Sequence, residues 1–299
     1  MPCTILLLLL TSTPTAVVVA AAAAAAAAKP ASATSPVNFA FDATTCRRER
    51  TVETLLEMLK KHIVTHVRGT PTSGKTVLSR ILHERIKRES SFRSVYVKWV
   101  EDDGGGEHMR YQEKLQAGPD LAAQPNLVLI VDEAQASYNQ RDFWVSCVKY
   151  QSAATGGPYI ALFSSFGSAD SVALRIPGSS PVTLEPFQRV FLTHQANQPY
   201  EVSLYFTMDE FKDVCARWTA GLFTISQDVI EYLYDLTSGH PGLCNGLLAT
   251  IMDEPEVRAE RSSSRRITME SVHHFLDDDA RLLHVVESRV RRSLPQKLP

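Results

Sequence analysis

Residues 69–76 read Gly-Thr-Pro-Thr-Ser-Gly-Lys-Thr, a complete G-x-x-x-x-G-K-[ST] pattern. No other stretch restricts the fold as much, because the pattern works only between a strand and a helix. Gly69 and Gly74 allow a tight turn and a close backbone approach to a polyphosphate. Through Thr70, Pro71, Thr72 and Ser73 the main chain wraps the phosphates, and N–H groups of the loop and of the next helix point at them. Lys75 sets an ammonium against the terminal phosphates, and the Thr76 hydroxyl can ligate Mg²⁺. The flanks suit the pattern. His62-Ile-Val-Thr-His-Val-Arg68 is a β-branched run that predicts a buried strand. Lys75–Arg88 predicts a helix, with Val77, Leu78, Ile81, Leu82 and Ile86 at helical spacing.

A second run, Leu127-Val-Leu-Ile-Val131, ends in Asp132-Glu133. Continuous apolar character predicts a strand buried on both faces, as in a parallel sheet. Carboxylates at its C-terminal end lie on the edge where such sheets bind ligands. There Asp132 can hold Mg²⁺ through water, and Glu133 can act as general base toward an attacking water. The plainer alternative makes Asp132 the cap of a following helix that carries Trp144, Val145 and Val148.

The length of 299 residues allows a core and a smaller domain, and the net charge of −2 advertises neither nucleic acid nor a membrane surface. Five cysteines, widely spaced and without a C-x-x-C pair, argue against a zinc site and against a disulfide scaffold. The N-terminal stretch joins an apolar run over Ile5–Leu10 to an alanine tract over Ala16–Ala28. It admits a secretory signal cleaved near Ala31-Ser-Ala33, a low-complexity extension, or an anchor. A membrane role follows only if residues 5–28 are an uncleaved anchor, and the compartment, secreted or intracellular, follows from the same choice.

Further along, the pattern predicts a helix over Arg47–His62, a strand over Ser94–Val100 and a loop with a short helix over Glu101–Gly118. A helix over Ala134–Gln151 and strands over Tyr159–Phe163 and Pro181–Phe191 follow. Alternating strands and helices imply a parallel sheet. After about residue 205 only helices are predicted. One starts at the capping box Thr207-Met-Asp-Glu210, a second spans Gln227–Leu236, and a third opens at Pro241; Glu254–Arg266 reads as a charged linker, and Met269–Val290 as one or two helices. The domain reading is a segment apart over 1–36, an α/β core over 37–204 and a helical lid over 205–299. Leu192–Thr207, with Asn197, Gln198 and Pro199, reads as a weakly anchored pivot between core and lid. Ser164-Ser165 end one strand, where a hydroxyl can sense the γ-phosphate or simply leave the strand. His240-Pro241-Gly242 starts a helix, and Pro241 can also lie against a base. Arginines 265, 266, 289, 291 and 292 are interleaved with acidic residues and read as a solvated face.

Three stretches together carry a family likeness. Arg47-Arg-Glu-Arg-Thr-Val-Glu-Thr-Leu-Leu-Glu-Met-Leu59 followed by Val67–Thr76 resembles the start of STAND-type ATPases within the AAA+ group, and Leu236-Thr-Ser-Gly-His-Pro-Gly242 resembles the G-x-P element of their lid. With Val131–Tyr138 and Ile160–Gly167 the combination is similar to the ATPase module of Crinkler-like proteins of oomycetes and fungi, over roughly residues 45–295. The resemblance implies a P-loop NTPase fold, a three-layer α/β/α parallel sheet of the additional-strand type with a C-terminal helical lid. It implies ATP and Mg²⁺ as cofactors, Glu133 as base and Pro241 near the adenine. Cys46-Arg47 stands where relatives carry a glycine before the Arg-Glu pair, no Leu-Phe-Leu-Ala-Lys signature occurs, and no arginine finger is assigned. Relatives often continue past this point, which leaves open a truncated C-terminal helical region.

The leading expectation is an ATP-binding, ATP-hydrolysing module in which Lys75, Mg²⁺ and Glu133 position and neutralise the reacting groups. The alternatives are a nucleotide switch with little turnover acting on a protein partner or on itself, a small-molecule kinase, and a DNA-associated ATPase. Adjacent Asp132-Glu133 weighs against the kinase, and the near-neutral charge against DNA.

Overall fold

The computed structural model describes residues 39–89, 91–99, 126–138, 143–149, 151, 158–165, 182–196 and 198–290. The expectations for residues 1–36, for the 101–118 loop, for Pro181 and for arginines 291 and 292 lie outside these residues.

Helix α1 spans Glu49–His62, and its apolar positions Val52, Leu55, Leu56 and Leu59 are all buried. Lys60, Lys61 and His62 crowd its last turn, where positive charge suits the helix dipole. The chain then turns at Ile63 (φ 64°) into strand β1, Val64–Arg68. Helix α2 covers Lys75–Lys87. Strands β2 (Arg93–Lys98), β3 (Leu127–Asp132), β4 (Tyr159–Ser164) and β5 (Arg189–Val190) complete a parallel sheet in the order β2-β3-β4-β1-β5.

The sheet is covered on both faces, which explains its unbroken apolar runs. Alternate residues point to opposite sides. Val128, Ile130, Ala161 and Phe163 pack with α1 and α2, while Leu129, Val131, Ile160 and Leu162 pack with Tyr138, Phe143, Trp144 and Val148. Strand β4 lies between the strand that feeds the glycine loop and the strand that ends in Asp132. This is the three-layer α/β/α fold of a P-loop NTPase, with the additional strand in place.

Several element boundaries differ from the sequence expectation, each for a local reason. The first strand begins at Val64 because α1 keeps His62, and the second covers Arg93–Lys98. Ala134–Gln151 is not one helix: a 3-10 turn covers Ala134–Ser137 and a π-helix covers Phe143–Lys149. The Trp144 indole N–H donates to Ser137 O (2.9 Å) and Oγ (3.1 Å), and this fastens the two pieces together. The fifth strand shrinks to Arg189–Val190 because Pro186 opens a 3-10 turn over Pro186–Gln188. Proline has no N–H for a ladder, and the Glu185 N–H instead donates to Gln188 Oε1 at 2.9 Å.

Beyond residue 205 run helices α3 (Met208–Thr219), α4 (Gln227–Thr237), α5 (Pro241–Asp253), α6 (Pro255–Ser263), α7 (Met269–Leu276) and α8 (Asp279–Val290). The capping box at Thr207 forms as drawn from sequence, with Glu210 N–H donating to Thr207 Oγ1 (3.2 Å) and Thr207 N–H to Glu210 Oε2 (3.1 Å). Two features correct the expectation here. Strands β6 (Thr224–Ile225) and β7 (Arg266–Ile267) pair in parallel among the helices. The charged stretch after Glu254 is also a helix, started by Pro255 and anchored by the buried Val257. These elements share a core that includes Phe211, Val214, Leu233, Leu248, Ile251 and Phe275. Among the described residues no helix is long and apolar enough to cross a membrane.

Candidate functional site

Strand β1 delivers the chain to Gly69, whose N–H continues the ladder to Ser164 O at 3.1 Å. A Cβ at Gly69 would lie 2.2 Å from Leu204 Cδ2 and 2.7 Å from Ser73 Oγ, so any other residue would force these side chains to shift. The loop then alternates its backbone hand, with φ of 64° at Thr72 and 89° at Gly74. Successive N–H groups of such a turn converge into an anion-binding concavity. Ser73 Oγ donates to Thr70 O at 2.6 Å, and Thr72 Oγ1 to Pro71 O at 2.6 Å. Lys75 folds across this turn: its Nζ donates to Gly69 O (2.8 Å) and Thr70 O (2.7 Å). Burial holds the Lys75 ammonium below its ordinary range, and the charges of Glu133 and Asp132 offset part of that shift. Thr76 follows it in the first turn of α2, with its carbonyl accepting from Ser79 Oγ at 2.9 Å.

Asp132 ends β3 fully buried. Its Oδ2 accepts from the Tyr96 hydroxyl (2.9 Å) and its Oδ1 from the Glu133 N–H (3.1 Å). Burial, reinforced by the Asp132 charge, pushes the Tyr96 phenol up to about 12, so Tyr96 stays a donor. The next residue, Glu133, has left-handed backbone (φ 57°, ψ 39°). For a residue with a Cβ this costs roughly 1–2 kcal/mol. The Glu133 side chain makes no cap hydrogen bond to the turn it precedes. The capping alternative therefore fails for both carboxylates: the Ala134–Ser137 turn starts at Glu133, and Asp132 lies within the strand.

Ser164 is placed differently from its neighbours in the site. Its carbonyl joins the start of the loop, but its hydroxyl is buried, 2.7 Å from His66 Nε2, and hydrogen-bonded to Tyr138 as well. Burial, with Arg68 and Arg189 nearby, depresses His66 to about 3, so the ring is neutral. At the strand tip it is Ser165 whose N–H faces the carboxylate-bearing edge, donating to Gln135 Oε1 at 2.9 Å.

Helix α5 meets the loop from the other side. Gly74 faces Pro241, with Cγ 3.3 Å from the position of a Gly74 Cβ. A Cβ on Gly242 would be 2.8 Å from Thr72 O. His240 caps α5, its Nδ1 accepting from Leu243 N–H at 3.2 Å; burial, aided by the Lys75 charge and opposed by a backbone hydrogen bond, lowers the ring below its ordinary value. The Tyr205 hydroxyl bonds the Thr70 side chain. Between loop and lid is a cavity of about 250 Å³ lined by Thr45, Thr72, Gly74, Phe206, Pro241 and Asn245. It is somewhat smaller than the roughly 300–1,000 Å³ of pockets for drug-sized ligands, and it opens beside the phosphate loop.

The structure thus brings Gly69–Thr76, Asp132, Glu133 and Pro241 together, and of Ser164 it brings the backbone alone. Sequence reasoning missed Tyr96, Gln135 and Arg48. Arg48, with left-handed backbone at the start of α1, is 5 % exposed. Its guanidinium donates to Leu204 O (2.8 Å), Ser203 O (3.0 Å) and Tyr205 O (3.1 Å), and to both Glu210 oxygens (3.1 and 3.0 Å). Thr51 Oγ1 adds a bond to Glu210 Oε1 at 2.5 Å. The sequence expectation of a weakly anchored pivot over Leu192–Thr207 is corrected here, because Val202, Leu204 and Phe206 are buried and Arg48 clamps the main chain between them.

A scan against protein-family models matches none, and a search of curated proteins finds no match. Solved structures give distant likenesses. A mutant form of RuvB of Thermotoga maritima is 13 % identical, with a TM-score of 0.41, covering 83 % of this chain and 72 % of that one. A chain of Drosophila ORC in a structure bound to DNA is 14 % identical, with a TM-score of 0.44, covering 95 % and 77 %. PCH-2 of C. elegans is 12 % identical, with a TM-score of 0.32, covering 80 % and 66 %.

Proposed function

We propose that this chain is a Mg²⁺-dependent ATP-binding and ATP-hydrolysing module of the AAA+ group, of STAND type, whose helical lid responds to the bound nucleotide. One observation carries the reading. A buried lysine on an anion-binding turn shares its surroundings with two carboxylates from the end of β3, one strand removed from β1. A polyphosphate satisfies the turn's N–H groups and the ammonium together. The cavity between Thr72 and Pro241 then takes the base and sugar.

The donor set fits Mg²⁺, which prefers oxygen ligands and keeps several waters. Thr76 Oγ1 and Asp132 would hold it, and Asp132 is already fixed for that task by the Tyr96 hydroxyl. Held there, the ion would supply positive charge against the phosphate oxygens as charge develops on them. The chain's own residues do the rest. The loop and Lys75 orient the terminal phosphate, Glu133 takes the proton of the attacking water, and the lid excludes bulk water.

Glu133→Gln tests the reading: it should bind ATP like the parent but release phosphate at least about a hundredfold more slowly, the lower range for a lost general base. Release at the parent rate refutes hydrolysis through Glu133. A second reading, a nucleotide switch acting on a protein partner or on itself, is favoured by the close approach of Gly242 to Thr72, where a side chain would collide, which ties lid position to loop shape. It gains if turnover is slow in the parent while ADP and ATP analogues change hydrogen exchange across residues 205–250 differently.

A further inference from the structure

One side chain joins the end of β3 to the end of β4. The Gln135 amide donates from Nε2 to Glu133 Oε2 and accepts at Oε1 from the Ser165 N–H at 2.9 Å. Its orientation is not ambiguous: a carboxylate only accepts and a backbone N–H only donates, so the two partners fix which end is which. Only an amide side chain offers a donor and an acceptor in this planar fork. The platform beneath it is rigid. Ser137 Oγ donates to Ala134 O at 2.6 Å, and the fully buried Trp144 holds Ser137 through its indole N–H. Glu133 itself has no cap bond to the turn, so among the described contacts Gln135 is what fixes its carboxylate.

We propose that Gln135 is a positioning residue: it locks the Glu133 carboxylate to the tip of β4, so that a phosphate group reaching that tip sets where the base stands. The inference rests on the reading of Glu133 as base. Gln135 touches no reacting atom and acts through Glu133 alone. A shift of Ser165 moves Oε1, and the rigid amide carries the shift to the carboxylate on its other end. A base displaced by a fraction of an ångström meets the water at the wrong angle, while the loop and the cavity that set nucleotide affinity are untouched.

The test uses the full chain, ATP affinity by titration calorimetry and steady-state phosphate release. Gln135→Ala removes the fork; Gln135→Glu keeps its length but loses the N–H donors. Both should lower kcat by about ten- to a hundredfold, with ATP affinity within about twofold of the parent. In a Glu133→Gln background the Gln135→Ala change should cost less than about twofold in kcat, because two residues acting as a unit do not add. Parent-like kcat in both folded variants overturns the proposal. So does an equal loss in both backgrounds, which would make Gln135 a packing residue of its turn. If Glu133→Gln alone is slow while Gln135→Ala is parent-like, only this inference falls. If Glu133→Gln is as fast as the parent, the base reading falls and takes this one with it.

Discussion

Replacing Arg48 by methionine keeps a long apolar stem and removes every polar contact of the guanidinium. Three carbonyls, at Ser203, Leu204 and Tyr205, lose a charged donor, and Glu210 loses a two-point partner. The side chains of the pair are 3 % and 11 % exposed, so water replaces little of this. Removing one partner of a buried pair costs about 3–5 kcal/mol. Glu210 keeps the Thr51 hydroxyl and the Thr207 N–H, which places the expected loss near the lower end, about 3 kcal/mol. For a domain of this size each kcal/mol moves the melting temperature by roughly 2–4 °C, giving a fall of roughly 6–12 °C. Scanning calorimetry of the parent, Arg48→Met, Glu210→Gln and the double variant measures it. The double variant should recover at least about 1 kcal/mol relative to the sum of the singles, because the two groups touch. A fall under about 2 °C for Arg48→Met, or strict additivity, would show that the clamp is ornamental and that the segment is held by Val202, Leu204 and Phe206 alone.

Lys75→Ala should weaken ATP binding by about ten- to a hundredfold, the equivalent of a charged hydrogen bond of about 1.5–3 kcal/mol; unchanged affinity in a titration of the folded variant refutes the phosphate-loop assignment. His66 is neutral in the fold to about pH 3, whereas its ordinary value is 6.5, so below pH 6.5 the unfolded chain binds the extra proton. Stability is intact above 6.5 and should fall with decreasing pH at a slope approaching about 1.4 kcal/mol per unit from this group, and denaturant melts of His66→Gln between pH 7.5 and 5 should show a flatter slope than the parent. Gly242→Ala drives a methyl to 2.8 Å from Thr72 O, so the start of α5 must lift off the loop. Faster hydrogen exchange across residues 239–246 and weaker ATP binding are expected, and parent-like exchange would mean that the backbone absorbs the methyl.

The parts of the fold that the sequence made legible are those written in burial. β3 and β4 are apolar on both faces because both faces are covered, β1 adds a buried valine to each face, and the loop and its helix follow from a pattern that tolerates few substitutions. The fifth strand was overdrawn because Val182, Leu184 and Val190 are buried without belonging to one ladder. Helix α6 was missed because a single residue, Val257, carries its burial, which leaves no period to read. Lys75, Asp132 and Glu133 were visible through their fixed spacing. Tyr96, Gln135 and Arg48 were not, since each acts on a backbone group or a carboxylate whose distance in the fold has no counterpart in sequence spacing. A glutamine two places after Glu133 draws no notice until the tip of β4 lies beside it.

Cys46 packs into the core of the C-terminal helices, among Phe211, Val214 and Phe223, and Arg48 meets Glu210 across 162 positions of chain. Synthesis therefore makes these two residues early and their partners late. Until α3 and the residues after it leave the ribosome, a buried cation and a buried thiol wait without their surroundings, and until α5 follows the phosphate loop lacks the roof that Pro241 supplies. Contacts this distant in sequence slow the search for the native state, since loop closure precedes any reward. The helical region, cut away from residues 41–48, would expose the gap that Cys46 fills. The sheet region and the helices after residue 205 thus fold as one unit, closed only when its later elements meet its earlier ones.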